Sequence, residues 1–214
     1  MLRFKGVLFD MDGVIINSEP IHNLKWSEVL RDLGIHAGVV WFERFAGVPD
    51  SVIAEEIIRT FGPVKSSKEL IQQKNLKYSR YIQLEIKQIP ELTDAMKSLG
   101  QYKLGLVTAS NKAEANMITH KMGIEYLFDT IVGGDEVTNN KPDPDIYLKA
   151  AGALNIDPAL CIAVEDSYFG VQSAKNAGLF VIGIANSLSH SGLTETDHIC
   201  KNTFEAISYI KTLH

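Results

Sequence analysis

The sequence predicts an α/β protein with a doubly wound parallel sheet, covered by helices on both faces, and with an all-helical domain inserted after the first strand. Short runs that are apolar throughout alternate with segments of helical period, which is typical of parallel strands buried on both faces. Polar residues collect directly after these apolar runs. The stretch 18–83 contains helical patterns and no clear strand, which indicates the insertion.

Each predicted strand is short, apolar and bounded by charged or turn-forming residues. The segments between them have the 3.6-residue period of helices that pack on a sheet. Gly123 and Gly178 stand where two of these helices should end, as C-terminal glycines do. The predicted strands are 4–9, 104–107, 130–132, 161–164 and 180–184, and the predicted core helices are 91–99, 112–122, 144–154 and 168–177.

The inserted segment divides the chain into two domains. Residues 1–17 and 84–214 are expected to form a Rossmann-like α/β core, and residues 18–83 a helical cap. The connections would lie near Asn17 and near Ile89-Pro90. The helical patterns of the cap are 21–33, 42–46, 51–61 and 68–82.

The composition excludes several classes of protein. A net charge of −5 gives no sign of a nucleic-acid partner or of an anionic membrane surface. No run of about 18 uncharged apolar residues is present, so no membrane span is expected. Cys161 and Cys200 form no CxxC or zinc pattern, and such sparse cysteine usage fits a reducing cytosol. We therefore expect a cytoplasmic protein.

Polar side chains follow four of the predicted strands. Ligands of open parallel sheets bind beyond the carboxyl ends of the strands, so these side chains are expected to share one crevice. In chain order they are Asp10 and Asp12, then Thr108, Ser110 and Asn111, then Lys141, and finally Glu165 and Asp166.

The charges in this crevice predict a magnesium site. Asp10, Asp12, Glu165 and Asp166 would bring four carboxylates together, and like charges at close range raise each other's pKa or destabilise the fold. A divalent cation removes this conflict, and oxygen ligands suit Mg²⁺. Lys141 adds a compact positive charge suited to a phosphate.

The remaining groups predict phosphoryl transfer. The hydroxyl of Thr108 and the backbone N–H of Ala109, near a helix N-terminus, would bind the anion. Asp10 would attack phosphorus and form an aspartyl-phosphate. Asp12, on the same side of an extended chain, would protonate the leaving oxygen and then deprotonate water. Gly13 would let the backbone turn sharply beside them.

Each motif also has a purely structural interpretation. The stretch Asp10 to Gly13 could form only a turn, although a calcium loop is excluded because Ile21 occupies its twelfth position. Lys141 could be a solvated loop lysine. Glu165 and Asp166 could serve only to stabilise the following helix through its dipole.

Taken together, the motifs resemble those of the haloacid dehalogenase superfamily of phosphotransferases. The segments "FDMDGV", "VTAS", "KPDPDIY" and "VEDSYFGVQSAKNAG" occur in the family's order and span nearly the whole chain. The resemblance implies that Mg²⁺ is bound by Asp10, by the backbone carbonyl of Asp12 and by Asp166. Glu165 would lie nearby or bind through water.

Within the cap, "NSEPIH" is similar to a segment of the branch that contains beta-phosphoglucomutases and sugar-phosphate phosphatases. This resemblance places Ser18, His22 and Lys74 near the substrate, in a crevice between cap and core. Mutases of the branch carry an arginine close to where this chain has Pro49-Asp50, and its absence argues against a mutase.

The sequence therefore predicts a magnesium-dependent phosphoric monoester hydrolase acting on a small phosphorylated metabolite, such as a sugar phosphate. Two alternatives stay open, namely a phosphomutase of the beta-phosphoglucomutase type and a non-catalytic module that binds a phosphorylated ligand or a protein. A monomer is expected to suffice, because the cap would already cover the site.

Overall fold

The strand order of the sheet explains where a site can form. The computed structural model describes residues 4–45, 48–86, 89–185 and 195–213, and in these residues six strands pair in the order β3-β2-β1-β4-β5-β6. All neighbouring strands are parallel, which confirms the predicted fold class. The strands are β1 Gly6–Asp10, β2 Lys103–Thr108, β3 Thr130–Gly133, β4 Cys161–Glu165, β5 Phe180–Ile184 and β6 His198–Cys200.

From the central strand β1 the chain builds one side of the sheet with β2 and β3, and then crosses to build the other side from β4 onward. The strand order therefore reverses between β1 and β4, and a crevice opens beyond their carboxyl ends at such a point. Phe9 pairs with Val164, so the next residues, Asp10 and Glu165, lie side by side as the last residues of their strands.

The strands are buried because helices cover the sheet. Every residue of β1 and of β4 is buried, as expected of strands in the middle of a parallel sheet. One core cluster joins Leu8 and Val107 to Tyr147 and Val171 on the covering helices. The helices of this unit are α5 Pro90–Lys97, α6 Lys112–Met122, α7 Asp145–Leu154, α8 Tyr168–Asn176 and α9 Thr203–Ile210.

The chain divides into two compact units, Met1–Ile16 with Ile86–His214, and Asn17–Glu85. We call the first the core unit and the second the cap unit. The cap unit has its own hydrophobic cluster, in which Trp26, Phe42 and Ile57 are fully buried. Its helices are α1 Glu19–Asp32, α2 Val39–Phe42, α3 Asp50–Phe61 and α4 Ser67–Glu85.

Two elements lie where the sequence analysis placed none. Strand β6 has only three residues, and its segment is too short to show a strand pattern. Helix α9 buries Ala206, Ile207 and Ile210 on one face.

One cap helix also differs from its prediction. A helix was expected at 42–46, but α2 ends at Phe42 and a 3-10 turn, Glu43–Phe45, follows. Ala46 lies outside the described residues. Val39 and Val40 begin this helix, and the sequence did not predict its first turn because valine is a poor helix former. No helix among the described residues is long and apolar enough to span a membrane.

Candidate active site

The first loop of the core unit begins at a buried carboxylate. Asp10 is the last residue of β1 and is only 6% exposed. The chain then folds back on itself, because the N–H of Ile16 donates to the Met11 carbonyl at 3.0 Å and the N–H of Gly13 donates to the Ile16 carbonyl at 2.7 Å. Asp12 lies within this tight loop and is half-buried. The loop is therefore held in one shape by its own backbone.

Gly13 allows this loop to pack closely against Asp166, the residue that follows β4. Its φ is +78°, in the left-handed region that glycine adopts without a steric penalty. A Cβ atom at this position would also overlap the carboxylate of Asp166. Two separate constraints thus require glycine here, and the second shows how closely Asp166 approaches the first loop.

Three carboxylates meet at this point. Oxygen atoms of Asp10, Glu165 and Asp166 all lie within 4.8 Å of one another, and the three residues are buried. The group found among the described residues consists of these three acids, and the Asp12 carboxylate is not part of it. A spacing of this kind allows one cation to contact several oxygens at once.

Lys141 supplies the positive charge of the cluster. Its Nζ donates to Asp10 Oδ1 and to Glu165 Oε1, both at 2.5 Å, and its side chain is 7% exposed. The loop that carries it is tied to α8, because Asn176 donates its side-chain N–H to the Pro142 carbonyl at 3.1 Å. Lys141 is therefore not a solvated loop lysine.

Glu165 is fully buried and accepts hydrogen bonds at both oxygens. Oε1 accepts from the hydroxyl of Tyr147 at 2.7 Å, and Oε2 accepts from the N–H of Asp166 at 3.2 Å and the hydroxyl of Ser167 at 3.1 Å. Helix α8 can begin close to the Glu165 carboxylate because Gly170 has no Cβ atom. A Cβ at this position would overlap the carboxylate. Tyr147 was not among the residues predicted from the sequence, although it ends the "KPDPDIY" motif.

The electrostatics of the cluster follow from burial and from the crowding of acids. Burial, and then the charge of Glu165, raise the pKa of Asp10 well above its usual value, while Lys141 opposes the shift. Burial alone would lower the pKa of Lys141, but Asp10 and Glu165 outweigh it, so the pKa is raised and the ammonium stays charged. Burial and the same acids raise the pKa of Tyr147, so its hydroxyl remains a neutral donor.

The loop after β2 is held by hydrogen bonds of its own residues. Thr108 is the last residue of β2 and is fully buried, and its Oγ1 accepts from the N–H of Ser110 at 3.1 Å. Ala109 lies between them. Asn111 caps α6 by accepting from the N–H of Glu114 at 2.9 Å. These contacts hold the loop in a fixed shape at the N-terminus of a helix, where anions bind readily.

The loop after β3 supports the loop after β2. The N–H of Gly134 donates to the Ser110 carbonyl at 2.8 Å, and Asp135 Oδ1 accepts from the N–H of Lys112 at 2.8 Å. Glu136 adds an ion pair with the Lys112 ammonium at 3.1 Å. Asp135 and Glu136 were not predicted from the sequence, where their one signal is a Gly-Gly-Asp-Glu run at the end of a strand.

The remaining candidates, Ser18, His22 and Lys74, belong to the cap unit. Ser18 is buried, and its carbonyl accepts from the N–H of His22 at 2.9 Å at the start of α1. The His22 ring stacks on Tyr78 with 4.3 Å between centroids. Lys74 is 3% exposed, and its Nζ lies 2.7 Å from Asp50 Oδ2. Within the cap unit, the charge of Lys74 is thus matched by an acid, and its role toward a substrate stays a prediction.

The cluster in the core unit combines the buried Asp10 carboxylate, the Lys141 ammonium, and hydroxyl and amide donors. A carboxylate can act as a nucleophile toward phosphorus when the charge of the attacked group is neutralised. The cluster has the parts that such neutralisation needs.

Comparisons with known proteins agree with this interpretation. The fructose-1-phosphate phosphatase YqaB of Escherichia coli is 31% identical over 183 residues, which cover 85% of this chain and 97% of that protein. A beta-phosphoglucomutase of Bacillus subtilis is 32% identical over 195 residues, which cover 84% of this chain and 83% of that protein. A crystal structure of beta-phosphoglucomutase from Clostridium difficile matches with a TM-score of 0.74 and 27% identity, over 98% of this chain and 96% of that one.

A family model described as haloacid dehalogenase-like hydrolase matches residues 7–184, which include every core-unit residue of the candidate site. The match and the relatives confirm the resemblance seen in the four motifs. The chain belongs to the haloacid dehalogenase-like hydrolase family.

Proposed function

We propose that this protein is a magnesium-dependent phosphatase that hydrolyses a small phosphorylated metabolite, a sugar phosphate, through an aspartyl-phosphate on Asp10. The observation that carries this proposal is the packing of Asp10 against Lys141, Glu165 and Asp166 at the switch point of the sheet. A binding module would not need a buried nucleophile beside a second loop acid such as Asp12.

In this mechanism a carboxylate oxygen of Asp10 attacks the phosphorus atom, and the bond to the sugar oxygen breaks. Asp12 gives its proton to the departing oxygen. It then takes a proton from the water that hydrolyses the aspartyl-phosphate, so the free enzyme is restored. The hydroxyl of Thr108, the N–H of Ala109 and the ammonium of Lys141 bind the phosphoryl oxygens.

The donor set fits Mg²⁺, because crowded oxygen ligands of this kind are what the ion prefers. Asp10, Asp166 and the backbone carbonyl of Asp12 would hold it, with Glu165 close by. When bound, the ion neutralises charge on the carboxylates and on the phosphoryl oxygens.

The choice of a sugar phosphate is supported by the relatives. One is named for fructose 1-phosphate and another is a phosphoglucomutase, so both act on phosphorylated hexoses. A panel of hexose and pentose phosphates, assayed for release of inorganic phosphate with Mg²⁺, tests the proposal. Turnover of at least one such compound is expected, and inactivity of wild-type protein on the whole panel would favour a non-catalytic binding module instead.

A phosphomutase is the second candidate, since relatives include beta-phosphoglucomutases. Against it, mutases of the branch carry an arginine close to where this chain has Pro49-Asp50, and Asp50 pairs with Lys74 in the cap unit. Incubation with a hexose 1-phosphate separates the two. A phosphatase releases free phosphate, whereas a mutase accumulates the 6-phosphate, and accumulation of that product would reject the phosphatase.

A further inference from the structure

Tyr147 is a wholly buried residue of α7 whose hydroxyl group reaches the candidate site. Its ring belongs to the hydrophobic cluster under the sheet, together with Ile146, Ala150 and Leu154. A phenylalanine would fill the same space with the same apolar contacts. The hydroxyl therefore adds nothing to the packing, and burying it requires a hydrogen-bond partner.

That partner is Glu165. The hydroxyl donates to Glu165 Oε1 at 2.7 Å, and the same oxygen accepts from Lys141 Nζ at 2.5 Å. The Lys141 ammonium also lies 5.3 Å from the centroid of the Tyr147 ring, within the range of a cation–π interaction. Tyr147 thus contacts Lys141 with its ring and holds the acid partner of Lys141 with its hydroxyl.

The other oxygen of Glu165 is fixed by the turn into α8. Oε2 accepts from the N–H of Asp166, and from both the N–H and the hydroxyl of Ser167, at 3.1–3.3 Å. Both oxygens are therefore occupied by donors of the chain itself. Glu165 is anchored to the backbone on one side and presents a charged, oriented acceptor to Lys141 on the other.

We infer that Tyr147 is a positioning residue for phosphoryl transfer, which acts through Glu165 to fix the Lys141 ammonium beside Asp10. A lysine ammonium sits on a flexible four-carbon stem, so its position depends on its neighbours. With the Tyr147 hydroxyl in place, Glu165 Oε1 cannot rotate away from Lys141 without losing a buried hydrogen bond. The inference rests on the proposed function, in which Lys141 binds the phosphoryl group.

Kinetics of Tyr147→Phe test the inference, with Tyr102→Phe as a matched control. Tyr102 is also a buried tyrosine of the core unit, and its hydroxyl donates to the carbonyls of Ile210 at 3.2 Å and Leu213 at 3.4 Å. Each variant loses one buried hydroxyl and keeps its ring, so a general loss of stability affects both.

The expected effect is on kcat. A misplaced ammonium costs most when charge moves from Asp10 onto the phosphoryl group, so Tyr147→Phe should lower kcat about tenfold, with KM within about twofold. Tyr102→Phe should leave both constants at wild-type values. An equal fall in the two variants, or a change of Tyr147→Phe confined to KM, would overturn the inference.

A double-mutant cycle on metal-free protein tests the link without turnover. Glu165→Met removes the acceptor, and the buried Lys141 ammonium keeps Asp10 as its acid partner. Tyr147→Phe should lower the melting temperature of the wild-type protein but not that of Glu165→Met, because removing both partners of a hydrogen bond costs little. An equal loss in both backgrounds would show that the hydroxyl does not act through Glu165. If wild-type protein releases no phosphate from any substrate, the proposed function fails, and the cycle still decides whether Tyr147 holds Glu165.

Discussion

Replacing Gly13 by alanine probes the contact between the first loop and Asp166. The structure gives two costs. An alanine at φ +78° is in the left-handed region, which costs about 1–2 kcal/mol. For a chain of this size, each kcal/mol lowers the melting temperature by about 2–4 °C. In addition, the new Cβ would overlap the Asp166 carboxylate, so this side chain must leave its place beside Asp10 and Glu165.

Gly178→Ala separates the two costs. Gly178 has φ +85°, and an added Cβ would have no atom within 4 Å. This control should lose about 1–2 kcal/mol through its backbone alone, with wild-type Mg²⁺ affinity and turnover. Gly13→Ala should lose at least as much stability and, in addition, about 100-fold or more in phosphate release, since a misplacement of about 1 Å within an active site has effects of that size.

The assays are thermal unfolding, calorimetric titration with Mg²⁺ and phosphate release. If Gly13→Ala binds Mg²⁺ and turns over like Gly178→Ala, the reasoning that places Asp166 against the first loop is wrong.

The other predictions concern the proton carrier, the metal and the thiols. Asp12→Asn should slow turnover by about 10²–10⁴-fold, because it removes the group that moves the proton, and a smaller loss in steady-state kinetics would reject that role. Mg²⁺ at a hundred times its Kd should stabilise the protein by about 2.7 kcal/mol, seen as a higher melting temperature that EDTA reverses. Asp166→Asn should remove most of this shift, and a full shift in the variant would take Asp166 out of the ligand set. Burial raises the pKa of the Cys161 and Cys200 thiols to about 11. A chromogenic disulfide reagent at pH 8 should therefore react with neither thiol until denaturant is added, whereas rapid reaction of the native protein would contradict their burial.

The sheet could be predicted because its strands are apolar on both faces and have helices between them. Residues 161–165 are an example, since every side chain of β4 is buried. The sequence there does not alternate between apolar and polar residues, which is typical of a strand covered on both faces. Strand β6 could not be predicted, because a three-residue edge strand has too few positions for a pattern.

The candidate residues of the core unit could be named from the sequence because parallel strands end at one edge. Topology alone brings the ends of β1 and β4 together, and with them Asp10, Glu165 and Asp166. The residues that hold these side chains in place could not be named. That Tyr147 donates to Glu165, or that Asp135 accepts from the backbone of Lys112, depends on side-chain directions that sequence spacing does not contain.

The cap unit shows the same limit more strongly. Lys74 was singled out by resemblance, but nothing in its spacing showed that Asp50 would lie 2.7 Å away and match its charge. Asp50 also accepts from the indole N–H of Trp26 at 3.0 Å. A lysine and an acid 24 residues apart become partners only through the packing of two helices, which the helical period does not specify.

The aspartyl-phosphate on Asp10 is the central claim, and rapid-quench mass spectrometry tests it most directly. Wild-type protein mixed with a sugar phosphate and Mg²⁺ and quenched in acid should yield the peptide containing Asp10 with one added phosphoryl group, labile to hydroxylamine. Asp10→Asn should show neither the modified peptide nor phosphate release. Release of phosphate at the wild-type rate by Asp10→Asn, or a phosphoryl group found on another residue, would contradict the account.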